Sequence, residues 1–93
     1  MTKAYAGALE GTGAAELLMA QLGDAGGYVA SERIEGTLAG RTGTFVVPHG
    51  AVGDATDSRT FGHVVPGSGT GGLEALRGDA SFAHERLTLS YSL

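Results

Sequence analysis

The glycines of this chain are the feature that most restricts its fold. Seventeen of the 93 residues are glycine, and they stand as short interruptions between runs in which apolar and polar residues alternate. Successive side chains of a β-strand point to opposite faces, so this alternation is typical of strands with one buried face. Glycine between such runs permits tight turns. The pattern therefore predicts an all-β domain of short strands.

Seven alternating runs predict about seven strands, at residues 3–9, 14–21, 28–38, 42–49, 59–66, 79–84 and 87–93. Residues 14–21 also suit a helix by composition, but the flanking glycines and the neighbouring strands favour a strand. Residues 50–58 are small and polar, which predicts a surface loop. Proline cannot donate to a ladder, so Pro48 predicts that its strand lies at a sheet edge or ends there. The spacing favours a small antiparallel β-barrel or a sandwich, in a single domain over residues 1–93.

Composition and charge exclude several classes of function. Ten acidic residues oppose six basic ones, the net charge is −4, and the basic residues are spread along the chain. A nucleic-acid partner is not expected, since it would need a basic patch. The lack of cysteine removes disulfides and thiol nucleophiles. No apolar run is long enough for a signal sequence or a membrane span, so we expect a cytoplasmic protein with no membrane partner.

The stretch from Gly67 to Gly78 formally matches a dinucleotide-binding turn, because Gly67, Gly69 and Gly72 follow a predicted strand. That motif needs a helix aimed at pyrophosphate, and only residues 73–77 could form one. We therefore interpret the stretch as a tight barrel corner and expect no cofactor. The three histidines, at positions 49, 63 and 84, are too widely spaced for a local metal motif, and no metal is expected.

Polar residues in register with the apolar faces are the best candidates for chemistry. Glu16, Glu32 and His49 are predicted to face the barrel lumen and are the candidate catalytic residues. A carboxyl group in an apolar interior is easily kept protonated, and a histidine beside it can transfer protons, which suits enolisation, cyclisation or isomerisation. The candidate ligand-binding residues on the same faces are Tyr28, Phe45, Val47 and Tyr91.

A structural role for the same residues is the alternative. Glu32 could pair with Arg33 or Arg41 at a barrel rim, and His49 could cap the end of a strand. A shift of one residue in any strand would also move its whole set of side chains to the other face.

Several segments in order resemble the bacterial DUF3224 family: residues 16–20 (ELLMA), 32–38 (ERIEGTL), 43–46 (GTFV), 49–50 (HG), 64–73 (VVPGSGTGGL) and 76–78 (LRG). The family is similar to the allene oxide cyclase barrel, an eight-stranded antiparallel barrel of the calycin type. Residues 69–73 also resemble the Gly-Thr-Gly-x-aromatic turn of allene oxide cyclases and dirigent proteins. The family has no established activity, and its structural relatives bind or cyclise small hydrophobic molecules.

The resemblance implies a small calycin-like β-barrel that binds a small apolar ligand in its lumen. The alternatives are a cyclase or isomerase acting by Glu/His acid–base chemistry, and a structural or interaction module with no ligand. Family members carry a further strand before the part that matches Lys3. We therefore expect an incomplete barrel that is closed by oligomerisation, as a homodimer, because an open sheet edge favours pairing with a second chain.

Overall fold

The computed structural model describes residues 2–5, 9–83 and 86–93, and these form strands with one short helical turn. The strands are β1 (Thr2–Tyr5), β2 (Leu9–Leu22), β3 (Ala25–Leu38), β4 (Arg41–Gly53), β5 (Ser58–Gly62), β6 (Arg77–Ala83) and β7 (Arg86–Ser92). A 3₁₀ helix spans Gly71–Leu73. The all-β prediction is confirmed. Parts of the predicted strands 3–9 and 79–84, including His84, lie outside the described residues.

The strands follow one another as an antiparallel meander. β1 to β5 form one sheet in sequence order, and β6 and β7 form a second. The residues after β5 join the two sheets, since the His63 N–H donates to the Pro48 carbonyl on β4 and the Val64 N–H donates to the Gly78 carbonyl on β6. Among residues 2–5, 9–83 and 86–93 no pairing links β1 to β7, so the strands form an open, curved layer rather than a closed barrel.

β2, β3 and β4 are longer than their predicted runs, at 14, 14 and 13 residues. The predicted loop at residues 50–58 is wrong over its first part, because β4 continues to Gly53. Only two residues, Gly23 and Asp24, form the turn between β2 and β3. Gly23 has a φ of 61°, which glycine adopts readily. We call the outer half of this three-stranded region, residues 16–29 and 50–53, the distal end. It contributes to the elongated shape of 44 × 23 × 22 Å.

The prediction that Pro48 marks an edge strand is also wrong. β4 lies between β3 and β5, and Pro48 pairs with Ser31 on the β3 side. Proline is tolerated here because of where the β5 ladder stops. That ladder ends at the pair His49–Gly62, and Pro48 is the next residue of β4 beyond this pair. The Pro48 carbonyl still accepts from the His63 N–H, so proline loses only its own donor at the end of the ladder.

The core lies on one face of the curved layer, which we call the inner face. Ile34, Phe45 and Val47 are fully buried there. Leu73 and Leu76 are also fully buried, so the glycine stretch covers one side of the core. This stretch is held against β4 by the Thr70 N–H, which donates to the Thr44 carbonyl at 2.9 Å. Its interpretation as a tight corner agrees with this packing.

In the described part of the chain, no helix is long and apolar enough to cross a membrane.

Candidate functional site

The register of β3 and β4 brings Glu32 and His49 together. Glu32 pairs with Val47, and His49 pairs with Ala30, so the two polar side chains are diagonal neighbours on the inner face. Diagonal pairs in an antiparallel ladder are within reach of long side chains. His49 Nε2 lies 3.1 Å from Glu32 Oε1. Both side chains are buried, with exposures of 3% for His49 and 0% for Glu32.

A hydrogen-bonded carboxyl–imidazole pair can hold and transfer a proton. The hydrogen bond needs at least one proton between the two atoms, whether the imidazole or the carboxyl group carries it. Burial away from water strengthens such a contact, and it makes separation of the two groups costly. The pair is therefore suited to acid–base chemistry, and it is equally suited to a structural role.

The proposed rim pairing of Glu32 with an arginine is not what the structure has. Arg33 lies on the opposite, solvent-facing surface, where its Nη1 is 4.0 Å from Glu35 Oε2 and both side chains are exposed. Arg41 is exposed at the start of β4. Since neighbouring residues of a strand face opposite ways, Arg33 cannot share a face with Glu32. His49 takes that place.

Tyr28 connects this buried pair with the surface. It lies two residue pairs further along the inner face, and its ring meets the His49 ring edge to face, with centroids 5.9 Å apart and planes at 82°. Tyr28 is half-buried and lines an open groove of about 370 Å³ at the distal end. Met19, Gln21 and Ala51 line the same groove, which we call the inner groove.

Glu16 does not belong to this site, which corrects its predicted position. The ladder pairs Ala15 with Glu32 and Glu16 with Ser31, so the odd-numbered residues of β2 face inward. Glu16 is therefore exposed on the outer face. The alternation of residues 14–21 is too weakly amphipathic to reveal this, because both faces carry apolar side chains.

The other predicted ligand-binding residues separate into two places. Phe45 and Val47 lie on the inner face but are fully packed in the core. Tyr91 lies on β7 opposite Gly78, and it is 39% exposed. Of the four, Tyr28 is the residue that lines the inner groove.

Sequence reasoning missed Met19, Gln21 and Ala51 as lining residues. Ala51 falls in the predicted loop, although alternate residues after His49 continue the β4 pattern on the inner face. The residues that the structure describes contain no group of three or more His, Cys, Asp or Glu side chains placed to hold a metal ion. His63 and Asp79 form a separate, exposed pair, with Nδ1 and Oδ1 2.7 Å apart.

Comparisons with known proteins agree with this fold. The model of the family described as "Protein of unknown function (DUF3224)" matches residues 1–93. A crystal structure of a protein with unknown function from the DUF3224 family of Shewanella oneidensis MR-1 is 33% identical in sequence. The match has a TM-score of 0.88 and covers 98% of this chain and 72% of that one. No curated protein shows a significant match. With its full length matched and a close structural relative at this identity, the chain belongs to the DUF3224 family.

Proposed function

We propose that this protein binds a small apolar ligand in the inner groove, against the ring of Tyr28. The observation that carries the proposal is the double contact of Tyr28, which lines the groove and packs on His49. A ligand there meets an aromatic wall with a polar pair directly behind it. Small-molecule sites commonly combine a mostly apolar surface with a few placed polar groups.

This site lies away from the middle of the inner face. Phe45, Val47 and Ile34 fill the middle of the inner face, with no exposed surface. The inner groove, at about 370 Å³, lies at the open distal end. Its volume falls within the range of roughly 300–1,000 Å³ that small-molecule pockets occupy.

A neutral fluorescent probe tests the proposal. N-phenyl-1-naphthylamine is quenched in water and brightens in apolar sites, so its titration should show saturable binding to the protein. Tyr28→Ala should weaken that binding about two- to tenfold, because an aromatic contact contributes about 0.5–1.5 kcal/mol beyond simple area. Tyr91→Ala is the matched control, since it removes the same group from β7 in the second sheet. Equal binding by the two variants would refute the assignment of the groove.

A second candidate is enolisation or isomerisation of an apolar carbonyl compound by the buried pair. The 3.1 Å contact of Glu32 with His49 favours it, because a carboxylate held by an imidazole can remove a proton beside a carbonyl group and return it. Binding ranks first because the Glu32 side chain has no exposed surface that a substrate could contact.

Deuterium exchange separates the two candidates. An apolar ketone such as 2-nonanone, incubated with the protein in D₂O, would gain deuterium at the carbon beside its carbonyl if an enolate forms. The exchange should then vanish in Glu32→Gln and persist in Tyr91→Ala. Binding of the probe without deuterium exchange into the ketone would support the binding function and contradict the acid–base role.

A further inference from the structure

The outer face of the distal end carries a continuous apolar surface. One row of cross-strand neighbours runs from Leu18 on β2 through Val29 and Gly50 to Phe61 on β5. Leu22 and Val52 lie beside this row, on the same face. The five large side chains of this outer patch, Leu18, Leu22, Val29, Val52 and Phe61, are between 44% and 82% exposed. A groove of about 560 Å³ is lined by four of these side chains, all but Phe61, and also by Met19 and Tyr28.

This surface departs from the usual pattern of an antiparallel sheet. Such a sheet commonly buries one face and presents polar residues on the other. Here the distal end is apolar on both faces, with Met19 and Tyr28 on the inner side and Leu18 and Val29 on the outer side. The exposed side chains of the patch amount to roughly 500 Å² of apolar surface. This is within the range of about 300–600 Å² for the largest apolar patch of a monomer, which is often functional. The distal end therefore has the composition of a sheet that is covered on both faces.

We propose that a second copy of this chain covers the outer patch, in a two-fold symmetric dimer packed sheet against sheet. A standard interface buries about 800 Å² on each partner, and about 65% of a homodimer interface is apolar. The outer patch supplies about that apolar area by itself. Its surrounding polar residues supply the remainder.

The charges at the margin of the patch are arranged for a two-fold contact. Glu16 lies on the outer face of β2, and Arg59 lies on the outer face of β5, at opposite corners of the patch. Both side chains are exposed. In a two-fold interface a contact made by residue i with residue j is repeated by j with i. In this dimer the two-fold axis lies between the two sheets, perpendicular to the line from Glu16 to Arg59. Glu16 of each copy then lies opposite Arg59 of the other.

The dimer contact adjoins the inner groove. Neighbouring residues of a strand point to opposite faces, so the outer patch and Tyr28 lie on opposite sides of the same sheet. The groove over the patch also includes Met19 and Tyr28 in its lining, so a second copy seated there reaches the margin of the inner groove. The sequence-based expectation of assembly was pairing at an open strand edge, and the outer patch offers a different route.

The mass of the protein in solution tests the proposal directly. Light scattering behind size-exclusion chromatography, across a concentration series, should give twice the 9.3 kDa chain mass. Leu18→Glu should raise the dimer dissociation constant at least about tenfold, because it places a charge in the centre of the interface. Leu93→Glu is the matched control, since Leu93 is exposed at the end of the chain. Leu18 is largely exposed, so folding should survive, and circular dichroism checks this.

Charge reversal tests the arrangement of the two copies. Glu16→Arg and Arg59→Glu should each weaken the dimer severalfold, and the double variant should recover most of the affinity, because the two charges have only changed places. A monomeric wild-type protein would overturn the proposal. So would a dimer that Leu18→Glu leaves intact, or a monomer that binds phosphatidylcholine vesicles through Leu18.

Discussion

Glu32 Oε1 and His49 Nε2 lie 3.1 Å apart on the diagonal of the β3–β4 ladder, in a core that is otherwise apolar. Neither residue can lose its partner without leaving a buried polar group. Breaking the pair should therefore destabilise this small domain, whatever its role in chemistry.

Removing one member of this pair should cost much more than removing both. Glu32→Leu and His49→Leu should each lower the free energy of unfolding by about 3–5 kcal/mol, because each strands the other group in the core. The double variant should recover most of that loss, since two apolar side chains need no partner. Urea unfolding of the four proteins measures the coupling. Losses that simply add would contradict the direct contact.

The glycine stretch should contribute to stability through its leucines. Leu76→Ala should cost about 2–5 kcal/mol, because Leu76 is fully buried and its loss leaves a cavity. Leu93→Ala removes the same atoms from an exposed position and should change stability by less than about 0.5 kcal/mol. Thermal and urea unfolding compare the two. Similar effects would mean that the stretch is not part of the core.

Two glycines near the start of β4 should differ in their tolerance of alanine. A Cβ at Gly43 would lie 1.9 Å from the Thr70 carbonyl oxygen, so β4 and the glycine stretch would be forced apart. Gly40 has open space around it and a φ of 78°, for which alanine costs about 1–2 kcal/mol. Gly43→Ala should therefore be the more destabilising in urea unfolding. The reverse order would show that the stretch does not contact β4 this closely.

Asp54 should make a small contribution to stability that disappears in acid. The backbone N–H and hydroxyl of Thr56 and the backbone N–H of Asp57 donate to its carboxylate, and they hold the pKa of Asp54 below its usual value. Because the folded-state pKa is lower than the unfolded one, the contribution is complete above about pH 4 and is lost as the pH falls through the folded-state pKa.

Carbon-detected NMR titration of the Asp54 carboxyl group measures this pKa directly. Asp54→Asn keeps an acceptor oxygen but cannot ionise, so its stability should fall less steeply in acid than that of the wild-type protein. An Asp54 pKa at or above the usual value would contradict the hydrogen-bonded turn.

Much of this fold could be predicted from local patterns. The alternation in β3 and β4 correctly placed Glu32, Phe45 and His49 on one buried face, because facing depends only on the two-residue period of a strand. Pro48 misled the prediction, since its effect depends on where the neighbouring ladder stops. The end of that ladder is set by where β5 stops, at Gly62, and the alternation around Pro48 does not show this.

The sequence by itself determined the all-β class, the family and the buried face of the central strands. The tertiary structure decided which residues meet: the contact of Glu32 with His49, the outward position of Glu16, and the apolar patch on the outer face. The physical reason is that facing is a local property of each strand, whereas contacts depend on register between strands. One residue of slip in β2 would have brought Glu16 inward, and the alternation of that segment is too weak to exclude such a slip.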